Sequence, residues 1–183
     1  FDVCITQTQT DADFFTALGA ENVIAGDNIK YSASPLPYQD KELNRLKEQL
    51  NGRTYWLYAS THDGEEDMAC RIHQKLVKKI PDLFTIIVPR HPERREDIKN
   101  QIQTYGLKTK TRTNGGHIID ETDAIYIADT IGELGLFYKL SDIAVIGRSL
   151  SRDGGGGHNP IEAAQLDCAI LHGPNTQNLQ QIY

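Results

Sequence analysis

The chain has 183 residues, 39% of them hydrophobic, which is enough for one buried core and part of a second. Its formal net charge of −6 argues against a general nucleic-acid binder, because phosphate backbones attract basic surfaces. No run approaches the roughly 20 apolar residues of a membrane span and nothing resembles a signal peptide, while Cys4, Cys70 and Cys168, odd in number and far apart, suit a reducing compartment as buried thiols.

In chain order, short β-branched and aromatic runs alternate with amphipathic helical stretches. This is the pattern of an open α/β fold, a parallel sheet with helices on both faces. Strand VCIT, helix DADFFTALG and strand NVIA come first. Position 1 is Phe and the chain opens in mid-strand, so a piece of a longer protein is expected. Residues 27–38, with two prolines, two serines and no periodicity, predict a linker. A complete run of alternating units follows. Helix QDKELNRLKEQLNG carries Leu43, Leu46 and Leu50 on one face, and strand TYWLYAS comes next. In helix EEDMACRIHQKLVKKI, Met68, Ile72, Leu76 and Ile80 repeat every four residues. Strand FTIIVPR, helix PERREDIKNQIQTYG, strand AIYIAD, helix IGELGLFYKL, strand IAVIG, helix PIEAAQL and strand CAIL complete the pattern. The apolar stripes are core faces.

Ligands of open α/β sheets bind beyond the carboxyl ends of the strands, where helix N-termini point free amides. Three strand-to-helix junctions carry one signature: Thr61-His62-Asp63-Gly64-Glu65-Glu66, Asp129-Thr130-Ile131-Gly132-Glu133, and the glycine loop ending Asn159-Pro160-Ile161-Glu162. Thr130 with Glu133 spells a capping box and Asp63 with Glu66 a variant of it. Asn159 suits an N-cap, Pro160 the first helical position and Glu162 the third. Each junction alone only starts a helix; together they are as consistent with a shared ligand crevice.

A fourth strand ends in Pro89-Arg90-His91-Pro92, where the prolines fix the chain and hold Arg90 and His91 at the sheet edge. Arginine there suits a phosphate through its fork of donors, or pairs with a helix acid such as Glu93 or Asp97. Arg94 and Arg95, within ERRED, read as a solvated helix face. His62, His73, His117 and His172 lack metal-ligand spacing, so no metal site is expected.

AGDNIKY, ASTHDGEE, PRHPER, ADTIGELGLFY and GGGGHNPIEAA, in this order and spacing, closely resemble 3-deoxy-D-manno-octulosonic acid (Kdo) transferases over nearly the whole chain. The resemblance implies a GT-B glycosyltransferase built from two Rossmann-like domains. Residues 1–26 would end the acceptor-side domain, and residues 39–183 would form most of the CMP-Kdo-binding domain. It further implies inverting transfer of Kdo to a lipid A precursor (lipid IVA), in lipopolysaccharide assembly in Gram-negative bacteria. No cofactor or metal would be needed. The enzyme would sit at the cytoplasmic face of the inner membrane, anchored through its N-terminal region, and its catalytic base would lie upstream of Phe1.

By the same resemblance Arg90 is the phosphate-side arginine, with His91 beside it. Ile131 and Gly132 are the backbone platform for cytosine, where relatives more often have Met in place of Ile131, and Glu133 beside them is a further donor-binding residue. Ser149, Gly156, Gly157 and Asn159 wall the phosphate and sugar carboxylate, with the amides from Gly157 to Asn159 meeting the charge. Glu162 holds the ribose, and Ser60 and Thr61 line the sugar end. Arg148 and Ala163 depart from the usual Gly and Pro, which leaves Arg148 as either an added anion contact or a solvent-facing change. A UDP-sugar epimerase of related architecture and a non-catalytic nucleotide-binding module are the alternatives. The four glycines, Gly154 to Gly157, precede a capped helix at a sheet edge, where side chains would block an anion from the amides.

Overall fold

A computed structural model describes residues 2–26, 28–113, 118–179 and 182–183, so Asp27 and His117 lie outside the described residues. The chain divides into two compact units, Phe1–Ser34 and Pro35–Tyr183. In the first, strand β1 (Cys4–Thr6) pairs in parallel with β2 (Val23–Ala25) across helix α1 (Gln9–Ala17). Thr8 caps that helix by accepting the Asp11 amide at 2.9 Å. Within the expected linker, Ile29–Ser32 form a short 3-10 turn capped by Asn28.

The second unit holds a six-stranded parallel sheet, in the order β5-β6-β4-β3-β7-β8. Its strands are β3 (Tyr55–Thr61), β4 (Phe84–Pro89), β5 (Thr109–Thr111), β6 (Ile125–Ile127), β7 (Ile143–Ile146) and β8 (Ala169–Leu171). The helices are α2 (Asp40–Gln49), α3 (Glu65–Leu76), α4 (Arg95–Thr104), α5 (Leu134–Leu140) and α6 (Ile161–Ala164). Alternation along the central strands separates two cores. Leu57, Ala59, Phe84, Ile86, Val88, Tyr126, Ala144 and Ile146 face α2 and α5, packing on Leu43, Leu46, Leu50, Leu136 and Phe137. Trp56, Tyr58, Ile87, Ile125, Ile127 and Val145 face α3 and α4, packing on Ala69, Cys70, Ile98 and Ile102. Helices therefore cover both faces, as an all-parallel sheet requires.

Two features depart from the sequence pattern. β5 is an additional edge strand, Thr-Lys-Thr, paired among the described residues with β6 alone. Helix α5 starts at Leu134 rather than at Ile131, because the Glu133 carboxylate is bound by Arg112 instead of capping backbone amides. Among the described residues no helix is long and apolar enough to cross a membrane.

β3 and β7 meet most closely beyond their paired residues, where Gly147 donates its amide to Ala59 O at 2.7 Å. A Cβ on Gly147 would stand 2.1 Å from the Ser60 carbonyl oxygen. Backbone cannot yield as a side-chain tip can, so Gly147→Ala is expected to lower stability by about 3 kcal/mol, the upper end for overpacking. Urea unfolding measures this, and an unchanged midpoint would contradict the contact.

Candidate donor-binding site

Every parallel strand exits on the same edge of the sheet, and the exits of β3, β4 and β7 are tied together by two buried carboxylates of α3. Glu65, 1% exposed, accepts the amides of His62 (2.9 Å) and Arg148 (2.8 Å) on one oxygen and that of Leu150 (3.1 Å) on the other. Glu66, fully buried, accepts the Thr61 hydroxyl at 2.8 Å and the Arg94 guanidinium at 3.0 Å. Burial pushes the Glu66 carboxyl upward, against the pull of Thr61 and Arg94. Asp63 and Glu66 therefore form no capping box. The N-cap of α3 is Gly64, at φ 85°, and Asp63 binds Arg94 at 3.0 Å from solvent. Arg94 also departs from expectation, because its guanidinium is drawn onto buried Glu66 rather than solvated.

The residues expected at the sugar end differ in their environments. Thr61 is buried and its hydroxyl is committed to Glu66. Ser60 stands at φ 57°, where the register between β3 and β4 shifts, so its side chain is re-aimed at the strand exit. Arg90 donates its amide to Thr61 O at 3.0 Å, yet its exposed guanidinium makes no hydrogen bond or ion pair among the described residues. No acid of the helix that follows captures it, which removes the helix-acid pairing as its role.

Around this arginine stand three histidines. His62 and His158 approach Nε2 to Nε2 at 2.8 Å, and the ring of His91 lies edge-on to His62 at 5.8 Å between centroids. The 2.8 Å contact needs one ring to donate and the other to accept, so it forms only while at least one is neutral. His158 is held down to about 4, by burial first and then by His62, Arg90 and Arg148, against the opposing pull of Asp153. His62 is lowered as well, by burial first and then Arg148 and His91, opposed by Asp153 and Glu65. Asp153, itself lowered to about 2 by the Gly155 amide and then by Arg148, binds Arg148 Nε at 2.9 Å and faces His62 Nδ1 at 3.7 Å. Arg148 is thus folded into the site rather than turned to bulk solvent.

The glycine loop closes on itself. Gly155 donates its amide to Asp153 at 2.9 Å, Gly157 to Asn175 O at 2.6 Å, and His158 to Gly147 O at 3.1 Å. The amides of Gly157 and His158, expected to meet an anion, are therefore spent within the chain, the first on Asn175, which packs on the loop, and the second on Gly147 at the exit of β7. Gly155 and Gly156 are instead needed for close approach: added Cβ atoms would stand 1.8 Å from the Arg148 guanidinium and 2.0 Å from Asn178 Oδ1. Ser149 is wholly buried, donating to Ile146 O and accepting the Gly173 amide at 2.9 Å. The N-cap of α6 is Pro160 rather than Asn159, which accepts the Ile161 amide at 2.9 Å from just outside the helix, and Glu162 lies half-buried in the first turn.

Ile131, Gly132 and Glu133 lie at the exit of β6, on the far side of β4 from β3. Ile131 is 88% exposed, and the Glu133 carboxylate is held by Arg112 and Thr130. His62, His158, Glu65 and Arg112 join the site without being singled out for it in the sequence, where Glu66 stands only as a capping partner and Arg148 stays open between an anion contact and a solvent-facing change. The two histidines carry a visible signal, each following a strand exit next to an already suspected residue. Among the described residues, no group of three or more His, Cys, Asp or Glu side chains is placed to hold a metal ion.

No family profile matches the chain. It is 35% identical over 96% of its length to a 3-deoxy-D-manno-octulosonic acid transferase of Rickettsia bellii, covering 41% of that protein. It is 32% identical over 85% of its length to the enzyme of the same name from Haemophilus influenzae, covering 36%. The chain thus spans about two fifths of the length of such relatives. Among solved structures it resembles the C-terminal CMP-Kdo binding domain of WaaA from Acinetobacter baumannii. That likeness has 35% identity and a TM-score of 0.71 over 78% of this chain and 74% of that one.

The histidine pair gives the site a pH signature. The folded value of His158, about 4, lies below its unfolded value of 6.5, so the unfolded state binds protons first as pH falls. Stability contributed by neutral His158 is complete above about pH 6.5 and is lost progressively toward pH 4. The thermal midpoint is expected to fall between pH 7 and pH 5, and His158→Gln to make that fall shallower; an equal slope in the variant would contradict the assignment.

Proposed function

The chain belongs to the 3-deoxy-D-manno-octulosonic acid transferase family, and from that premise we propose that its second unit is the donor-binding domain of a transferase that takes Kdo from CMP-Kdo. The observation that carries this reading is the Arg90 guanidinium, unpaired among the described residues, beside the His62–His158 pair at the carboxyl edge of a parallel sheet. A cationic and neutral-imidazole surface of this kind suits a phosphate monoester. When the bond between the anomeric carbon and the phosphate oxygen breaks, charge grows on the departing CMP. A guanidinium held in place by the exit of β4 stabilises that charge without rearrangement.

The proposed roles are these. Arg90 and Arg148 meet the phosphate, with His62, His91 and His158 as hydrogen-bonding partners. Ser60 lies toward the sugar, Glu162 toward the ribose hydroxyls, and the Ile131–Gly132 turn toward the base. Proton removal from the acceptor hydroxyl is assigned to the part of the relatives' length that this chain does not span. So are the lipid A precursor, its attachment to the cytoplasmic face of the inner membrane, and the second half of a GT-B enzyme. The transfer is inverting, and charge stabilisation rests on side chains rather than a cofactor or metal ion.

Titration of CMP into the chain tests the reading. Arg90→Ala is expected to weaken binding by roughly ten- to a hundredfold, the loss of a charge-assisted contact. Glu162→Ala should weaken CMP more than deoxy-CMP, since the deoxynucleotide lacks one ribose hydroxyl. Tighter binding of UDP than CMP, or unchanged affinity in both variants, would overturn the proposal. The chain alone should transfer no Kdo to lipid IVA, and measurable transfer would contradict the placement of the base.

A further inference from the structure

Ile131 and Gly132 present bare backbone at the sheet edge. Gly132 has φ +83° with open space where a Cβ would stand, and Ile131 extends into solvent. Among the described residues, no hydrogen bond engages the amide or carbonyl of either residue. The turn forms part of the wall of a cavity of about 180 Å³, opposite Tyr38 and Gln39. Adjacent peptide groups can distinguish ligands only if the turn that carries them is rigid.

Rigidity comes from one side chain. Arg112, 5% exposed, follows edge strand β5 and donates from Nε and Nη2 to both oxygens of Glu133, at 2.6 and 2.5 Å. Its Nη2 also reaches Glu42 on α2 at 3.3 Å, its Nη1 reaches the Tyr126 hydroxyl at 3.4 Å, and its guanidinium lies 5.6 Å from the Phe137 ring centre. Thr130, on the other side of the turn, donates its hydroxyl to the same Glu133 carboxylate at 2.5 Å. The two residues that flank Ile131–Gly132 are therefore fastened through one carboxylate to one buried fork. A lysine ammonium cannot reproduce that planar grip.

We propose that Arg112 is the positioning residue for base selection: by locking Thr130 to Glu133, it fixes the Ile131–Gly132 peptide groups in the order that reads a pyrimidine edge. This rests on the donor-site reading above. Cytosine presents an amino donor beside a ring-nitrogen acceptor, whereas uracil presents a carbonyl acceptor beside a ring N–H. A fixed backbone donor and acceptor matched to the first leave unpaired groups against the second, which is how a site rejects a near-isostere. Arg112 itself is buried, with its guanidinium turned onto Glu133, Glu42 and Tyr126. Its effect passes through the turn, so it should alter recognition of the base and not of the phosphate.

The test compares CMP, UMP and ribose 5-phosphate binding to the parent chain, Arg112→Lys and Glu133→Gln, with circular dichroism of each. Arg112→Lys is expected to lose CMP affinity about tenfold, to bring the CMP-to-UMP preference within about twofold of unity, and to leave ribose 5-phosphate within about twofold of the parent. Glu133→Gln, which weakens the fork from its other side, should give the same pattern and serves if Arg112→Lys does not fold. Unchanged CMP selectivity in a folded variant, or equal losses for all three probes, would overturn the inference while leaving the donor site standing. A parent chain that does not prefer CMP to UMP would overturn both.

Discussion

The Glu65 carboxylate is the constraint on which the site depends. It sits in the first turn of α3, almost without solvent, and accepts three backbone amides from two different strand exits. A buried acid without these donors would be costly, and three aligned amides offset that cost. His62 lies on one exit, and Arg148 leads to His158 on the other. Their 2.8 Å contact therefore follows from where Glu65 clamps the backbone. Glu66 extends the clamp to the exit of β4 through Arg94, so that Arg90 projects from a fixed frame.

The chemistry of that frame is electrostatic and economical. Cationic groups converge from β4 and from the loop after β7, while burial lowers the proton affinity of both histidines. An arriving anion would meet Arg90 and Arg148, the two guanidinium groups that already press on His158. The glycines, which look like an amide cradle in sequence, act through absence of bulk: they let Arg148 and Asn178 lie against the loop backbone.

Much of the fold was legible because the central strands are buried on both faces and so read as continuous apolar runs. Strand β5 was not, since Thr-Lys-Thr at an edge carries no apolar signal. Arg90 and the Ile131–Gly132 turn stood out by position and resemblance. Glu66 was visible only as a capping partner and Glu65 only as its neighbour, while Glu133 was also marked by resemblance, because a sequence shows an acid near a helix start but not which distant partner claims it. The same limit hid Arg94 and Arg112. Each is an arginine among polar neighbours in sequence that folding carries onto a carboxylate from another element, 28 and 21 positions away respectively.

A crystal structure of the chain with CMP bound is the most direct test of the account. The phosphate should lie within hydrogen-bond distance of the Arg90 guanidinium and at least one of His62 and His158, with the base over Gly132. The surface also holds a second groove, lined by Asp67, Arg71 and Arg152, and a nucleotide seated there, with Arg90 making no contact to it, would contradict the account.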